Sequence, residues 1–503
     1  MTATAVGQWR RFEATIENEG TYTDPYRDVT LDVCYTAPDG REIAFWGFYD
    51  GGGTWRVRFM PDQVGMWTYS TFFSDSQPGI RGTFECVPSD VPGMLAGDED
   101  NPIWFGYKGG RHVLIRSFHV GDRFFAENYA GDARREFLDW AQEQGYNLLS
   151  VASHYLNRAE SGRGAGWLTP ALWPLDAAEY RKVEHILDDL HQRRMMVFPF
   201  AGFFGRGAIF PVDRRDQELY IRYALARFGP YWNLLLNVSG PEPLLRKRVV
   251  LSKEEVNRLG RLIRSLDVFG HPLSVHNRTG DDEFQDELWP NYGILQGPKT
   301  VDLDELGAGL RASHHPTRPL YAQETLWSGN QHGHPDYTDD QLRKNALVTL
   351  MSGAALNFAD NGGPSTSDIG NSSSGFSGNL ALADRRQWRH DILKAVWDWF
   401  ETIPFYRLCP RQDLVSAGFC LAEAGKMYLV YLPEGGAVDV AVEKGLYEMM
   451  WICARETADC RTGGQTKDGR GLVAPQEGED WILRLDRVSD PEQMAQAESS
   501  CGA

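Results

Sequence analysis

RPLYAQETLWSG, residues 318–329, runs from strand-forming residues into one acid, Glu324, with an aromatic at Trp327 three positions later. YTDDQLRKNALVTLMSG (337–353) follows with helical spacing, and AALNFAD (354–360) returns to a short apolar run. Strand, helix and strand in that order read as a unit with two parallel strands, because a parallel partner needs a long crossover. Reading upstream, the same rhythm recurs. HVLIRSFH (112–119), NLLSVASH (147–154), MMVFPFAG (195–202), NLLLNVSG (233–240), HPLSVHN (271–277) and YGILQG (292–297) are strand-like. DARREFLDWAQEQG (132–145), EYRKVEHILDDLHQRR (179–194) and SKEEVNRLGRLIRSLDVFG (252–270) are amphipathic, the last opening with Ser252 and Glu255 in capping-box spacing. RRQWRHDILKAVWDWFETIP (385–404) supplies a final helix. Eight strands alternating with helices over about 300 residues are expected to close into a (β/α)8 barrel. A doubly wound open sheet is the alternative, and no Gly-rich phosphate fingerprint after the first strand supports it. The connection from the fifth strand to the sixth is short on helix.

Both flanks of this region change character. WRRFEATIENEG (9–20), VTLDVCYTAPDG (29–40), TWRVRFMPDQVG (54–65) and MWTYSTFFSD (66–75) alternate apolar and polar residues and end near Gly, Pro, Asp or Asn. LVSAGFCLAEAG (414–425), KMYLVYLPEGG (426–436), AVDVAVEKG (437–445), YEMMWICARET (447–457) and DWILRLDR (480–487) do likewise. The expected architecture is α/β: an N-terminal β-sandwich over 1–92, a barrel over 93–402 and a small C-terminal β-sandwich over 403–488. The polar tail 489–503 lacks periodicity.

With 503 residues, 42% of them hydrophobic, the chain has ample material for packed cores. A formal net charge of −18 argues against nucleic acid and against an anionic membrane surface, both of which need clustered Lys and Arg. A neutral ligand fits better. The 16 Trp, 20 Tyr and 25 Phe exceed core needs and suit a sugar, whose C–H faces stack on rings while its hydroxyls take hydrogen bonds. Seven cysteines without a CxxC pair read as reduced, mostly buried thiols, with a Cys453–Cys460 disulfide left open. The N-terminus shows no apolar signal region, and no window reaches the length of a membrane span. A cytoplasmic protein is therefore expected, with a homo-oligomer left open.

In a barrel of this kind the reacting side chains come from strand C-termini and the loops after them. Those positions hold His119, His154, Phe203 with Phe204, Glu242, His276 with Asn277, Glu324 with Trp327, and Asp360 with Asn361. The carboxylates Glu242, just past strand four, and Glu324, at the end of strand seven, lie across the mouth from one another. Such a pair can break a glycosidic bond: one protonated carboxyl serves the leaving oxygen, while the second attacks the anomeric carbon or activates water. A separation of about 5–5.5 Å gives retention and about 6.5–9.5 Å inversion. Each acid alone is also explained by a helix cap or a salt bridge, and His119 or His154 alone by satisfied packing. Several on one rim favour a site, with His119, His154, Asn237, His276 and Trp327 as sugar contacts. The HxH of His332 and His334 lacks further ligands at metal-binding spacing, and no metal or cofactor is called for. GNSSSGFSGN (370–379) has no lysine to make it a phosphate loop and reads as a surface loop or a lid.

The segments 6–40 and 45–70, with YTDPYRDV and FYDGGGTWRVRFMP inside them, resemble the N-terminal sandwich found ahead of many bacterial glycoside hydrolases. The barrel, through YWNLLLNVSGPEP, LSVHNRTGDDEFQDELWPNYGILQG, RPLYAQETLWSG and LVTLMSGAALNFADNGG, resembles apiosidase-like enzymes, relatives of the large retaining (β/α)8 glycosidase clan. The resemblance implies a glycosidase acting on a plant or microbial glycan or oligosaccharide, with retention. It also implies a nucleophile at Glu324 and an acid/base after strand four. The clan shows Asn-Glu at that tip, and apiosidase-like members an Asp after two glycines. Here Ser239-Gly240-Pro241-Glu242 stands instead, with Pro241 at or beside the family's acid. Glu242 is the nearest carboxyl, with Asp281 and Asp282 as alternatives, and apiose is not implied. A sugar-binding protein on a degenerate barrel and a transglycosylase are the competing readings.

Overall fold

The computed structural model describes residues 4–120, 122–127, 131–151, 168–199, 203–204, 210–238, 240, 244, 251–281, 283–328, 335, 337–360 and 389–488. Eight parallel strands form the centre. In chain order they are Arg116–Val120, Leu148–Val151, Met196–Pro199, Leu236–Asn237, Leu273–Ser274 continuing as His276–Arg278, Gly293–Gln296, Leu320–Ser328 and Ala354–Asp360. Strand one pairs with strand two and strand two with strand three, all in parallel. Parallel bridges Val197–Leu234 and Phe204–Val238 join strand three to strand four, and strand four pairs with strand five. Strands five to eight follow in order, and strand eight pairs back onto strand one through Arg116–Leu356 and Phe118–Phe358. That last pairing closes the ring and removes the open-sheet alternative.

Helices Gly131–Glu143, Ala177–Gln192, Arg214–Phe228, Lys253–Leu266, Leu303–Ala312, Asp339–Met351 and His390–Glu401 surround the barrel. Their starts follow from local chemistry. Asp176, Asp213 and Asp302 accept hydrogen bonds from the first-turn amides, and Thr338 with Gln341 forms a reciprocal capping box. Ser252 makes only half of the expected box: its Oγ accepts from the Glu255 amide at 3.3 Å, while the Glu255 carboxylate turns to Arg214 and Arg258. Among the described residues between strands five and six no helix forms, as the shortage of periodicity there predicts.

The N-terminal sandwich packs a five-stranded sheet on a three-stranded one, with Phe12, Tyr35, Trp55, Phe59, Trp67 and Phe84 buried between. Leu31–Thr36 shows why: its residues alternate between buried and partly or fully exposed along the strand. This core continues into the barrel wall through Ile115, Leu148, Met196, Trp232 and Tyr292. A buried charge cluster locks the two together. Arg227 gives Glu184 two hydrogen bonds (2.6 and 3.0 Å) and Asp50 one (2.9 Å), and Arg58 reaches the same Glu184 at 2.6 Å. Burial would raise the Glu184 carboxyl, but Arg58 and Arg227 beside it hold it below its ordinary value.

The C-terminal unit is a six-stranded antiparallel sheet faced on one side by a two-stranded pair, Ala437–Val438 with Leu472–Val473. Its other face, including Leu421, Leu429, Tyr431 and Ile482, joins the barrel core. Arg343 on helix Asp339–Met351 grips the fully buried Asp480 with two bonds of 3.0 Å. The six described cysteines are free thiols, including Cys453 and Cys460. Only Cys86 and Cys420 are buried, so the expectation of mostly buried thiols is corrected: the others sit on half-exposed strands or, for Cys460, at the surface. Among the described residues no helix is long and apolar enough to cross a membrane.

Candidate functional site

A ladder of polar side chains rises through the barrel. At its lower level Ser117 Oγ lies 2.6 Å from Tyr321 Oη and donates to Asn357 Oδ1 at 2.7 Å. Above it, Gln323 Nε2 donates to Ser150 Oγ (2.8 Å), and His119 Nδ1 lies 2.9 Å from that same hydroxyl. His276 Nε2 stands 2.7 Å from Gln323 Oε1. All these side chains are buried, so each polar atom must be met by another.

Glu324 tops the ladder. Tyr321 and Gln323 point into the barrel, and strict alternation would turn Glu324 outward. It does not turn outward, because strand seven carries extra residues there. Pairing with strand six advances from Ile294–Tyr321 to Gln296–Glu324, one residue more on strand seven. Pairing with strand eight advances from Ala322–Leu356 to Leu326–Phe358, two residues more. Such a bulge re-aims a side chain. The carbonyls it releases are satisfied: Asn357 Nδ2 donates to Gln323 O at 2.7 Å and the Gly297 amide to Glu324 O at 3.1 Å.

The Glu324 carboxylate is 3% exposed and firmly held. Gln296 Nε2 donates to its Oε2 at 2.7 Å, Lys299 Nζ to its Oε1 at 3.0 Å, and His276 Nδ1 lies 3.9 Å from Oε2. Lys299 Nζ also sits 4.7 Å from the centre of the Trp327 ring, and the His119 ring lies 5.1 Å from the same ring. A carboxylate, an ammonium and an aromatic face thus meet at the C-terminal end of the barrel, where such folds perform chemistry.

The structure therefore brings together His119, His276, Glu324 and Trp327, and places buried Asn237 at the end of strand four. Glu242, His154, Asp282, the histidines 332 and 334, and the 370–379 loop lie outside the described residues. Phe203 and Phe204, expected at the mouth, are buried against helix Arg214–Phe228 instead, Phe203 4.7 Å from Phe228 and Phe204 6.4 Å from Tyr220. Asn277 faces away from His276 by strand alternation and lines a cavity on the outer flank with Phe284, Tyr292 and Arg318. Asp281 shares that flank, in a polar cleft of about 440 Å³ with Lys253, Ser313 and His315. Among the described residues no group of three His, Cys, Asp or Glu is placed to hold a metal ion.

Gln296, Lys299, Gln323 and Ser150 are site residues that the sequence reading passed over. A signal for Gln296 is present in the sequence, since YGILQG carries Gln296 at its end just as RPLYAQE closes on Glu324. Gln323 had no signal, because only the bulge brings two consecutive residues to the same site.

A family described as a domain of unknown function (DUF5060) matches residues 5–74, within the N-terminal sandwich. No curated protein matches the sequence. Among solved structures, a "putative glycoside hydrolase" from Bacteroides vulgatus ATCC 8482 is similar with a TM-score of 0.71 and 17% identity, covering 96% of this chain and 100% of that one. A glycoside hydrolase (TM-score 0.61, 14% identity) matches over 80% of this chain and 99% of its own. A glycoside hydrolase family 5 protein from the same Bacteroides strain (TM-score 0.60, 14% identity) covers 80% and 96%. At these identities the likeness is one of fold: a barrel of the kind glycoside hydrolases use, carrying its sandwich with it.

Proposed function

We propose that this chain is a retaining glycoside hydrolase acting on a plant or microbial glycan or oligosaccharide, a relative of the apiosidase-like enzymes with its own sugar specificity. Glu324 attacks the anomeric carbon to form a glycosyl-enzyme. Glu242 first protonates the leaving oxygen and then takes the proton of the incoming water. His119, His154, Asn237 and His276 bind sugar hydroxyls, and Trp327 offers a ring face. The partner is a carbohydrate rather than nucleic acid or membrane, and the enzyme acts in the cytoplasm.

One observation carries this reading: an irregular bulge in a buried strand, with its Gln323 and Glu324 carbonyls hydrogen-bonded, turns Glu324 towards the barrel mouth. A carboxylate needed only for a surface salt bridge would not require it. The test is hydrolysis of a panel of activated aryl glycosides by wild type, Glu324→Gln and Glu242→Gln, with the anomer of the first product followed by proton NMR. Both variants are expected to lose activity and the wild type to retain configuration. Two variants with most of the wild-type rate would refute the mechanism.

Pro241, at or beside the place of the clan's acid, favours a second reading in which the barrel binds sugar without cleaving it. Binding across a glycan array with no turnover of any ligand would establish that alternative. Transfer to an added acceptor in place of water would identify a transglycosylase.

A further inference from the structure

The two half-reactions of a retaining glycosidase make opposite demands on the nucleophile. Attack on the anomeric carbon is fastest from a carboxylate whose charge is uncompensated. Release from the glycosyl ester is fastest when a cation stabilises the departing carboxylate. At Glu324 the structure shows such a cation already in place. Lys299 Nζ lies 3.0 Å from Oε1, and its side chain is only 13% exposed. The Trp327 ring, 4.7 Å from Nζ, flanks the ammonium, and Gln296 fixes the opposite oxygen at 2.7 Å. His276 faces Glu324 from strand five, and His119 lies beyond Trp327 from strand one. The geometry therefore fixes both carboxylate oxygens while placing one positive charge against Oε1.

We infer that Lys299 is a positioning residue that acts through Glu324, holding the carboxylate as an anion aimed into the mouth and accelerating hydrolysis of the glycosyl-enzyme. The inference rests on the reading of Glu324 as nucleophile. In the accelerated step a water oxygen bonds to the anomeric carbon as the bond from that carbon to the Glu324 oxygen breaks. The electron pair returns to Glu324, and the water's proton passes to the acid/base carboxylate. Lys299 stays protonated throughout; its charge stabilises the carboxylate as it is released.

Lys299→Met, which keeps most of the side chain's length and removes its charge, and Lys299→Arg, which keeps the charge, test this in the full-length chain. Rapid mixing with 2,4-dinitrophenyl glycosides should give Lys299→Met a burst approaching one equivalent of dinitrophenolate, followed by turnover about 10²-fold slower. KM should fall along with kcat, the mass of quenched enzyme should show the glycosyl adduct, and Lys299→Arg should recover much of the rate. Independently of any substrate, the Glu324 signal in ¹³Cδ-glutamate NMR, assigned by its loss in Glu324→Gln, should titrate at least about one pH unit higher in Lys299→Met. An unchanged titration overturns the inference, as does the absence of a burst from a folded Lys299→Met enzyme. An active Glu324→Gln would overturn the nucleophile reading itself. An inactive Glu324→Gln beside an unshifted Lys299→Met would overturn the role of Lys299 alone.

Discussion

Gln323 and Glu324 are consecutive on strand seven, yet both reach His276. Gln323 Oε1 lies 2.7 Å from His276 Nε2, and Glu324 Oε2 lies 3.9 Å from Nδ1. In a regular strand neighbours point to opposite faces, so one would sit inside the barrel and the other among the helices. The extra residues of strand seven between Ala322 and Leu326 remove that constraint. They let a neutral amide fill the barrel interior while the adjacent acid stands at its mouth.

The bulge depends on Asn357. This fully buried side chain accepts from Ser117 Oγ and donates to Gln323 O, the carbonyl released by the irregular pairing. Asn357→Ala should cost about 1–3 kcal/mol of stability, because it leaves that buried carbonyl without a donor. Chemical denaturation checks this. Activity should fall further than the stability loss explains, since Glu324 loses its aim.

Trp327 holds both Lys299 and His119 on its ring. Trp327→Ala should raise KM for a turned-over aryl glycoside by about tenfold or more, through loss of the ring face on which the sugar stacks. Trp327→Phe, which keeps a face, should recover part of that loss. Steady-state kinetics on the two variants decides the matter.

The sandwich is fastened to the barrel by charge as well as by apolar contact. Arg227 is fully buried among Glu184, Asp50 and Tyr223. Arg227→Met should destabilise the chain by about 3–5 kcal/mol, because Glu184 and Asp50 keep their burial and each loses a charged partner. Replacing Arg227 and Glu184 together by apolar residues should cost less than the sum, as a double-mutant cycle would show.

Asp267 sets an acid limb to stability. Burial raises its carboxyl, but His271 and Arg264 outweigh that and hold it down to about 2. Its Oδ2 accepts from the His271 amide at 2.7 Å, and its Oδ1 lies 2.9 Å from His271 Nδ1. A depressed carboxyl stabilises the fold above its unfolded value near pH 4, and that contribution is lost as the pH falls towards 2. The contribution amounts to about 2 kcal/mol. Asp267→Asn should be less stable at neutral pH and lose less stability between pH 5 and 2. Denaturation curves across that range measure both.

The barrel was legible because its evidence is repeated: eight apolar runs at near-regular spacing, each followed by amphipathic or loop sequence. Every one of them forms a strand in parallel register. The candidate site was legible only where a single strand-end residue enters the cluster, as at His119, His276 and Glu324. Phe203 and Phe204 misled because an aromatic at a strand end looks the same whether it faces the mouth or helix Arg214–Phe228. Ser252 and Glu255 stand in capping-box spacing, but spacing does not show that Glu255 prefers Arg214 and Arg258, so only half of the box forms. Lys299 was missed for a different reason. It lies in a loop three residues past Gln296, and its meeting with Glu324 depends on the pairing of strands six and seven.

The central claim is that Glu324 attacks the anomeric carbon and carries the sugar as a glycosyl ester, and trapping tests it most directly. Wild-type enzyme incubated with a panel of 2-deoxy-2-fluoro dinitrophenyl glycosides, then digested and sequenced by mass spectrometry, should carry the fluorosugar on the peptide containing Glu324. Glu324→Gln should carry none and should hydrolyse the parent aryl glycosides about 10⁴-fold more slowly or worse. A label on any other carboxylate, or a Glu324→Gln enzyme that turns over at the wild-type rate, would contradict the account.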